Sequence, residues 1–321
     1  MASSILTFTL LSTSLLAATS TAQQTPPPTI LSCADVNCPT DPGPTTNNIC
    51  TLGNTTYSDV GVVKVPVTPL FGSDLTWVEA ITVIDSKANR TFIKDFYLAS
   101  DPGSDLSDGN TVGACALFFT KINDGVGFRG DEKIGTCANA LSERCVEKMV
   151  QTAEAAEISG MEGAEACDAL QKAFEGKVVD DECLHVAGGT WTGVEVKALT
   201  GPGAPSPITP EQNSTSNCWP VSPNSYSLIS VMRISTTGDY YLSTGIRNLL
   251  NIVPVLTVFY PRGNGSSIAA LKPEAQLACL KAIEESVESN LTMKSNGAAK
   301  LDTGVSMSAV LAGALAVYWN F

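Results

Sequence analysis

Histidine is almost absent from this sequence, because His185 is the only histidine among 321 residues. A zinc site with two histidines is therefore excluded, and a serine or cysteine nucleophile has one candidate base. The sequence also lacks the GxSxG, HExxH, P-loop and GxGxxG elements of hydrolases, metalloproteases and nucleotide-binding proteins. We therefore interpret His185 as a structural or surface residue and expect neither a cofactor nor a metal ion.

Positive charge is also scarce in the chain. There are 19 Lys and Arg residues against 32 Asp and Glu residues, which gives a formal net charge of -13. A surface of this charge repels nucleic acid and anionic lipid headgroups, so we expect no nucleic-acid partner. Solubility alone also explains the acidic balance.

The first 22 residues resemble a secretory signal peptide. Residues 5–18 are apolar with interspersed Ser and Thr, and Ser20-Thr21-Ala22 places small residues just before Gln23. A buried N-terminal helix is the alternative interpretation of the apolar run. We expect residues 1–22 to be removed from an exported protein.

The C-terminal residues resemble the signal for a glycosylphosphatidylinositol (GPI) anchor. Asn296-Gly297-Ala298 offers three small residues, a short polar spacer follows, and residues 305–321 are mostly apolar. This run is shorter than the roughly 20 residues that a bilayer core requires, and no basic residue follows it, which argues against a membrane span. We predict anchor attachment at Asn296, with Ser295 or Gly297 as alternatives, and removal of residues 297–321. Lipid would then hold the mature protein on the outer leaflet, at the extracellular face of the plasma membrane.

The mature chain is predicted to have an extended arm and one larger body. Residues 23–58 form a cysteine-containing N-terminal arm, and residues 59–296 form the ectodomain. Runs of β-branched and aromatic residues predict strands between residues 59 and 122 and again between residues 190 and 260.

Two parts of the ectodomain have helical composition. Residues 136–176 are rich in Ala, Glu, Leu and Lys and contain no Pro, which predicts a helical hairpin. Pro273 and the apolar residues that follow predict a C-terminal helix to about residue 290. The expected fold is α+β, a strand-rich body with a disulfide-stapled helical hairpin insertion and a C-terminal helix.

The ten cysteines all lie between Cys33 and Cys279. An even count in an exported protein indicates disulfide bonds rather than free thiols. Because the helical cysteines are roughly symmetric about position 160, we predict the nested bridges Cys137–Cys183 and Cys145–Cys167. The sequence leaves the pairing of the other six open: Cys33, Cys38, Cys50, Cys115, Cys218 and Cys279.

Five asparagines fit the N-glycosylation rule: Asn54, Asn89, Asn213, Asn264 and Asn290. Five sequons in an exported chain predict several occupied sites. Each occupied site must be exposed to solvent, which constrains the fold.

Paired carboxylates are the catalytic arrangement that the sequence leaves open. Glycoside hydrolysis needs two acids about 5 to 10 Å apart and imposes no sequence motif. Solvated charge is the ordinary explanation for acidic residues of this kind. The candidates are Asp74, Glu79, Asp85, Asp180, Asp181 and Glu182.

Two further patterns have a binding interpretation and a structural one. Aromatic residues on a sheet face can stack on sugars, and core packing explains the same residues. Residues 101–110 collect oxygen ligands of the kind that Ca²⁺ favours, but Asp, Gly, Pro and Ser are also the usual residues of turns. The aromatic candidates are Trp77, Trp191, Trp219, Tyr226, Tyr240 and Tyr241.

The layout of a signal, a cysteine-rich glycosylated ectodomain and a short anchor signal resembles GPI-anchored cell-surface glycoproteins of filamentous fungi. The resemblance implies a location at the cell surface, with wall glycans as partners. The helical cysteines are spaced C-x7-C-x21-C-x15-C, which does not fit the eight-cysteine pattern of fungal CFEM domains, so haem binding is not implied. We expect a non-catalytic glycoprotein that binds or organises cell-wall material or an extracellular ligand. The alternative is a cell-wall glycosidase or transglycosylase that uses paired carboxylates.

Overall fold

The computed structural model describes residues 50–66, 70, 72, 75–85, 89–100, 106, 111–128, 135–218, 227–239, 250–262 and 272–283. The predicted signal peptide and anchor signal lie outside these residues, as do Cys33, Cys38, Asn264, Asn290 and Asn296. The predicted α+β class is confirmed, because the described residues form many strands and a smaller set of helices. None of these helices is long and apolar enough to cross a bilayer.

The elements alternate between strand-rich and helical stretches along the chain. The strands are β1 (Cys50–Leu52), β2 (Thr55–Tyr57), β3 (Asp59–Val65), β4 (Leu75–Asp85), β5 (Asn89–Ser100), β6 (Val112–Phe119), β7 (Val194–Ala198), β8 (Ser227–Asp239), β9 (Val253–Pro261) and β10 (Glu274–Leu280). The helices are α1 (Cys137–Leu141), α2 (Glu143–Glu154), α3 (Gly163–Phe174), α4 (Leu184–Ala187) and α5 (Pro210–Ser214), and a 3-10 turn (Asp181–Cys183) precedes α4.

Strands β3, β4, β5 and β8 form an antiparallel sheet in the order β3-β4-β5-β8, which we name sheet I. Side chains alternate between its two faces, and each face contributes residues to a buried hydrophobic cluster. Trp77 and Phe96 belong to the main core, whereas their neighbours Val78 and Tyr97 pack in a second cluster with residues of β1 and β2. The bridge Cys50–Cys218 ties β1 to the chain that follows α5. The hairpin of β1 and β2 is therefore a cover over the outer face of sheet I.

Strands β10, β9, β6 and β7 form a second antiparallel sheet in that order, which we name sheet II. It is the middle layer of the molecule. Phe118 contacts Trp77 of sheet I with ring centroids 5.5 Å apart, whereas the next residue, Phe119, contacts Phe174 of α3 at 5.3 Å. Because sheet I covers one face and helices cover the other, all nine residues of β9 are buried.

The predicted helices within residues 136–176 are present. Ser142, with a φ of 73°, separates α1 from α2, and its hydroxyl accepts a hydrogen bond from the backbone N–H of Cys145 at 3.3 Å. This contact caps the start of α2. Met149 of α2 and Leu170 of α3 are buried in the main core, so these helices are held by their apolar faces.

The predicted C-terminal helix is wrong over the described residues. Glu274–Leu280 is strand β10, which pairs with β9 from Glu274 opposite Phe259 to Leu280 opposite Val253. The segment EAQLACL is rich in helix formers, but its residues complete the backbone hydrogen bonds of β9. Tertiary pairing therefore overrides local propensity here.

The nested disulfide pairing is also wrong. The structure joins Cys50–Cys218, Cys115–Cys167, Cys137–Cys279 and Cys145–Cys183. The prediction assumed that the helical cysteines pair with one another, but α3 is bonded to β6 through Cys167 and α1 is bonded to β10 through Cys137. Both helices are thus stapled to sheet II, and every cysteine in the described part of the chain is paired.

Candidate functional site

An open cleft of about 490 Å³ lies where sheets I and II meet at one end of the sandwich. Strands β5 and β8 form one wall, and the chain after β6, strand β7 and the start of β9 form the other. Its polar lining residues, apart from Lys94, are Thr120, Lys121, Asp124, Glu195, Thr236 and Asn251. Its apolar lining residues are Phe92, Ile122, Ile234, Ile252 and Val253.

The turn after β6 positions one wall of the cleft. The backbone N–H and the hydroxyl of Thr120 both donate to the carbonyl oxygen of Gly193, at 3.0 and 2.8 Å. Gly193 has a φ of 65°, and a Cβ on it would lie 2.6 Å from Cγ of Lys121. The absence of a side chain at Gly193 therefore leaves room for Lys121 at the cleft.

His185 supports the same turn through its backbone. Its carbonyl oxygen accepts a hydrogen bond from the side-chain amide of Asn123 at 2.8 Å. The His185 side chain is exposed, and the residue is not among those that line the cleft.

A buried ion pair joins Lys94, which lines the cleft, to Glu79 of the neighbouring strand. The Lys94 Nζ lies 2.9 Å from Glu79 Oε1 and donates to the carbonyl oxygen of Asn251 at 2.9 Å. The backbone N–H of Ala282 also donates to Glu79 Oε1, at 3.4 Å. Burial raises the pKa of the Glu79 carboxyl, and the attraction of Lys94 opposes this shift.

The cleft carries little net charge. Lys94 is already paired with Glu79, so the other charged groups of the lining are one lysine, Lys121, and two acids, Asp124 and Glu195, and the remaining polar groups are hydroxyls and an amide. Such a lining offers hydrogen-bond donors and acceptors beside apolar walls. It suits a neutral polar ligand with an apolar face better than a strongly charged one.

Most of the acids predicted from the sequence lie elsewhere. Asp180 and Glu182 form exposed salt bridges, at 3.8 Å to Lys148 and 3.0 Å to Arg144. Asp181 is exposed, Glu79 is paired in the core, and Asp74 and the side chain of Asp85 lie outside the described residues.

Sequence reasoning missed Asp124 and Glu195, the two acids that line the cleft. They come from segments about 70 residues apart, so no local pattern joins them.

The two tryptophans among the aromatic candidates that the structure describes are core residues, which agrees with the packing interpretation. Trp77 is fully buried and its Nε1 donates to Thr257 Oγ1 at 2.8 Å, which links the two sheets. Trp191 packs against Phe119 and Phe174. The other four aromatic candidates lie outside the described residues, and so do residues 101–110 except for Leu106.

Two predicted glycosylation sites lie next to each other on the outer side of sheet I. Asn54 is exposed at the turn between β1 and β2, with a φ of 71°. Asn213 is half-buried in α5, and Thr215 of its sequon donates a hydrogen bond to Asn54 Oδ1. The side chain of Asn89, at the start of β5, is outside the described residues. Glycosylation at all of these positions stays a prediction.

A polar network on the outer face of sheet I joins the β1–β2 hairpin to strand β5. Tyr57 donates to Asp95 Oδ2 at 2.7 Å, so the hydroxyl of Tyr97 must supply the proton of the bond between the two tyrosines. Arg233 donates from Nε and Nη2 to both oxygens of Asp95. Burial is the main cause that raises the pKa of Tyr57 and of Tyr97.

Metal binding has no candidate among the described residues, where no three His, Cys, Asp or Glu side chains are grouped closely enough to hold an ion. Comparisons with protein-family models, with curated proteins and with solved structures found no match.

Proposed function

We propose that this protein is a GPI-anchored extracellular glycoprotein that binds a neutral polyhydroxylated ligand, such as a wall glycan, in the cleft between sheets I and II without cleaving or transferring its glycosidic bonds. The observation that carries the proposal is the lining of that cleft. Hydroxyl, amide and oppositely charged groups stand beside apolar walls, as the recognition of sugar hydroxyls and apolar sugar faces requires.

The two terminal signals support the location. A disulfide-stapled body agrees with an oxidising compartment, because four bridges among the described residues hold both sheets, the hairpin and the helices together. The net charge of -13 agrees with a neutral or cationic ligand rather than with an anionic polymer.

A cell-wall glycosidase or transglycosylase is the second candidate, because Asp124 and Glu195 line the same cleft. Glycosidases keep one acid protonated near neutral pH, usually by burial in an apolar environment. Asp124 and Glu195 are both exposed, which favours binding over catalysis.

A glycan array probed with the mature protein and two matched variants tests the proposal. Thr236 lines the cleft, and the adjacent residue Ser235 is also exposed but points to the opposite face of β8. Thr236→Trp should weaken binding strongly by obstructing the cleft, and Ser235→Trp should bind like the wild type. Absence of binding to any glycan, or equal binding by both variants, would contradict the proposal. Shortened or transferred oligosaccharides in the incubation would favour the enzyme.

A further inference from the structure

Lys94 is a primary amine held inside the protein at the edge of a cavity. The residue is 4% exposed, yet it lines the cleft. Glu79 Oε1 and the carbonyl oxygen of Asn251 each lie 2.9 Å from its Nζ. These two acceptors fix the position of the nitrogen. An ammonium group has three hydrogens, so one hydrogen on Nζ is bonded to neither acceptor.

Glu79 is a proton acceptor in direct contact with this amine. Its side chain is fully buried, and its second oxygen, Oε2, has no hydrogen-bond partner among the described residues. Both charges of the pair are desolvated, and Glu79 Oε1 touches the nitrogen, so a proton that passes from Lys94 to Glu79 when an electrophile enters removes both charges. The products are an uncharged amine, which is nucleophilic, and a carboxylic acid beside it. Burial, which raises the pKa of Glu79, favours this direction of transfer.

We propose that Lys94 captures a small hydroxylated aldehyde or ketone, such as the open-chain form of a reducing sugar, as a covalent imine, with Glu79 as the acid and base. The inference rests on the cleft of the proposed function and adds a reactive group to it. Thr236 and Asn251 are in the cleft to contact the hydroxyls of such a ligand.

The reaction balances without an oxidant or a reductant. The lone pair of Lys94 Nζ attacks the carbonyl carbon and forms a C–N bond, while the carbonyl oxygen takes the proton of Glu79. Glu79 then removes one proton from the nitrogen and delivers it to the new hydroxyl, which leaves as water when the C=N bond forms. The product is a protonated imine paired with the Glu79 carboxylate.

The surroundings of Lys94 favour the imine. Lys94 is only 4% exposed, and Phe92, Ile252 and Val253 are apolar residues of the same cleft, so little of the water that hydrolyses imines reaches its nitrogen. The cleft volume of about 490 Å³ lies within the usual range for small-molecule sites.

Reductive trapping tests the inference on the mature protein obtained from the full chain. Glyceraldehyde with cyanoborohydride converts imines into stable amines, and peptide mapping by mass spectrometry locates them. We expect the Lys94 adduct to form at least about tenfold faster than the adduct on Lys197, an exposed lysine of β7. Adducts on exposed lysines with Lys94 unmodified would overturn the inference.

Variants separate reactivity from folding. Lys94→Arg keeps a positive charge against Glu79 and should give no adduct at position 94, whereas Glu79→Gln should slow the adduct at Lys94 and leave that at Lys197 unchanged. Where either variant melts below the wild type, Thr236→Trp serves instead, because an obstructed cleft should reduce labelling of Lys94 alone. Equal labelling of Lys94 in Thr236→Trp and in the wild type would contradict the inference. Glycan binding with unreactive Lys94 refutes only this inference, and reactive Lys94 without glycan binding refutes only the proposed function.

Discussion

The carbonyl oxygen of Lys281 occupies the space that a side chain on Gly61 would need. A Cβ built on Gly61 would lie 2.0 Å from this oxygen and 3.3 Å from the backbone nitrogen of Ala282. The chain that leaves β10 thus crosses directly over β3, and the backbone N–H of Ile283 donates to the carbonyl oxygen of Val60. This close approach joins the edges of the two sheets.

Gly61→Ala should therefore destabilise the protein by about 3 kcal/mol, because the obstructing atom is backbone and cannot rotate away. Urea denaturation measures the change in the free energy of unfolding. Gly125→Ala is the matched control, since a Cβ there meets no atom within 4 Å, and its effect should stay within about 0.5 kcal/mol. Equal stabilities of the two variants would contradict the close approach.

Loss of one partner of the Glu79–Lys94 pair should destabilise the fold strongly, whereas replacement of both partners by apolar residues should change stability little. Lys94→Met leaves a buried carboxyl without its partner and should cost about 3 to 5 kcal/mol, whereas the double variant Glu79→Leu with Lys94→Met should approach or exceed the wild-type stability. Thermal unfolding of the three proteins checks this. A double variant no more stable than Lys94→Met would show that the pair is needed for another reason.

The defect of Lys94→Met should also depend on pH. Burial raises the pKa of the Glu79 carboxyl above its ordinary value of 4.5, and loss of Lys94 removes the main opposing attraction. The protonated carboxyl therefore stabilises the folded state fully below about pH 4.5, and this contribution is lost as the pH rises. We expect the destabilisation of Lys94→Met to be larger at neutral than at acidic pH.

Ionisation of Tyr57 should lower the stability of the folded protein at alkaline pH. Burial raises its pKa above the ordinary value of 10.0, so the folded protein keeps this proton to higher pH than the unfolded chain does. The stabilisation is complete below about pH 10 and is lost above it. Tyr57→Phe should therefore lower stability at neutral pH, by about 1 to 3 kcal/mol for the lost hydrogen bond to Asp95, and should flatten the alkaline decline. An unchanged alkaline slope in urea titrations would argue against a buried phenol.

Local composition was enough to predict most strands and the helices within residues 136–176, since β-branched runs and Pro-free Ala- and Glu-rich segments differ clearly. Local composition wrongly predicted a helix at β10, because the segment is rich in helix formers but pairs with the free edge of β9. The predicted disulfide pairing was wrong for a related reason. Which cysteines meet depends on the sheet face that a helix covers, and residue spacing carries no information about that face.

The cleft could not be predicted because its lining comes from five separate stretches of the chain. The sequence nevertheless contained one signal for the cleft. Phe92, Lys94, Phe96 and Leu98 alternate along β5 on one face, so a lysine stands among residues of the core. Glu79 stands in the same way between Trp77 and Ile81 on the adjacent strand. Charged residues at inward positions of two neighbouring strands indicate a buried pair.

Removal of residues 305–321 should release the protein into the medium, because the predicted anchor signal would lose its apolar tail. Fractionation of cells that express the truncated and the full-length chain measures this. A phosphatidylinositol-specific phospholipase should release the full-length protein from membranes. Quantitative membrane retention of the truncated chain would contradict the anchor.

The bridge between Cys115 and Cys167 should contribute more to global stability than the bridge between Cys50 and Cys218. Cys115 lies on the central strand β6 and Cys167 on α3, so this bridge joins two layers of the main core, whereas Cys50–Cys218 fastens the hairpin that covers sheet I.

Replacing Cys115 and Cys167 together by Ala should cost about 2 to 5 kcal/mol in the free energy of unfolding. The same change at Cys50 and Cys218 is the matched control, and it should mainly increase proteolysis near the hairpin, because the remaining layers keep their contacts. Peptide mapping without reduction must first recover Cys115 linked to Cys167. Recovery of Cys145 linked to Cys167 would restore the nested pairing and would contradict the packing of α3 on sheet II.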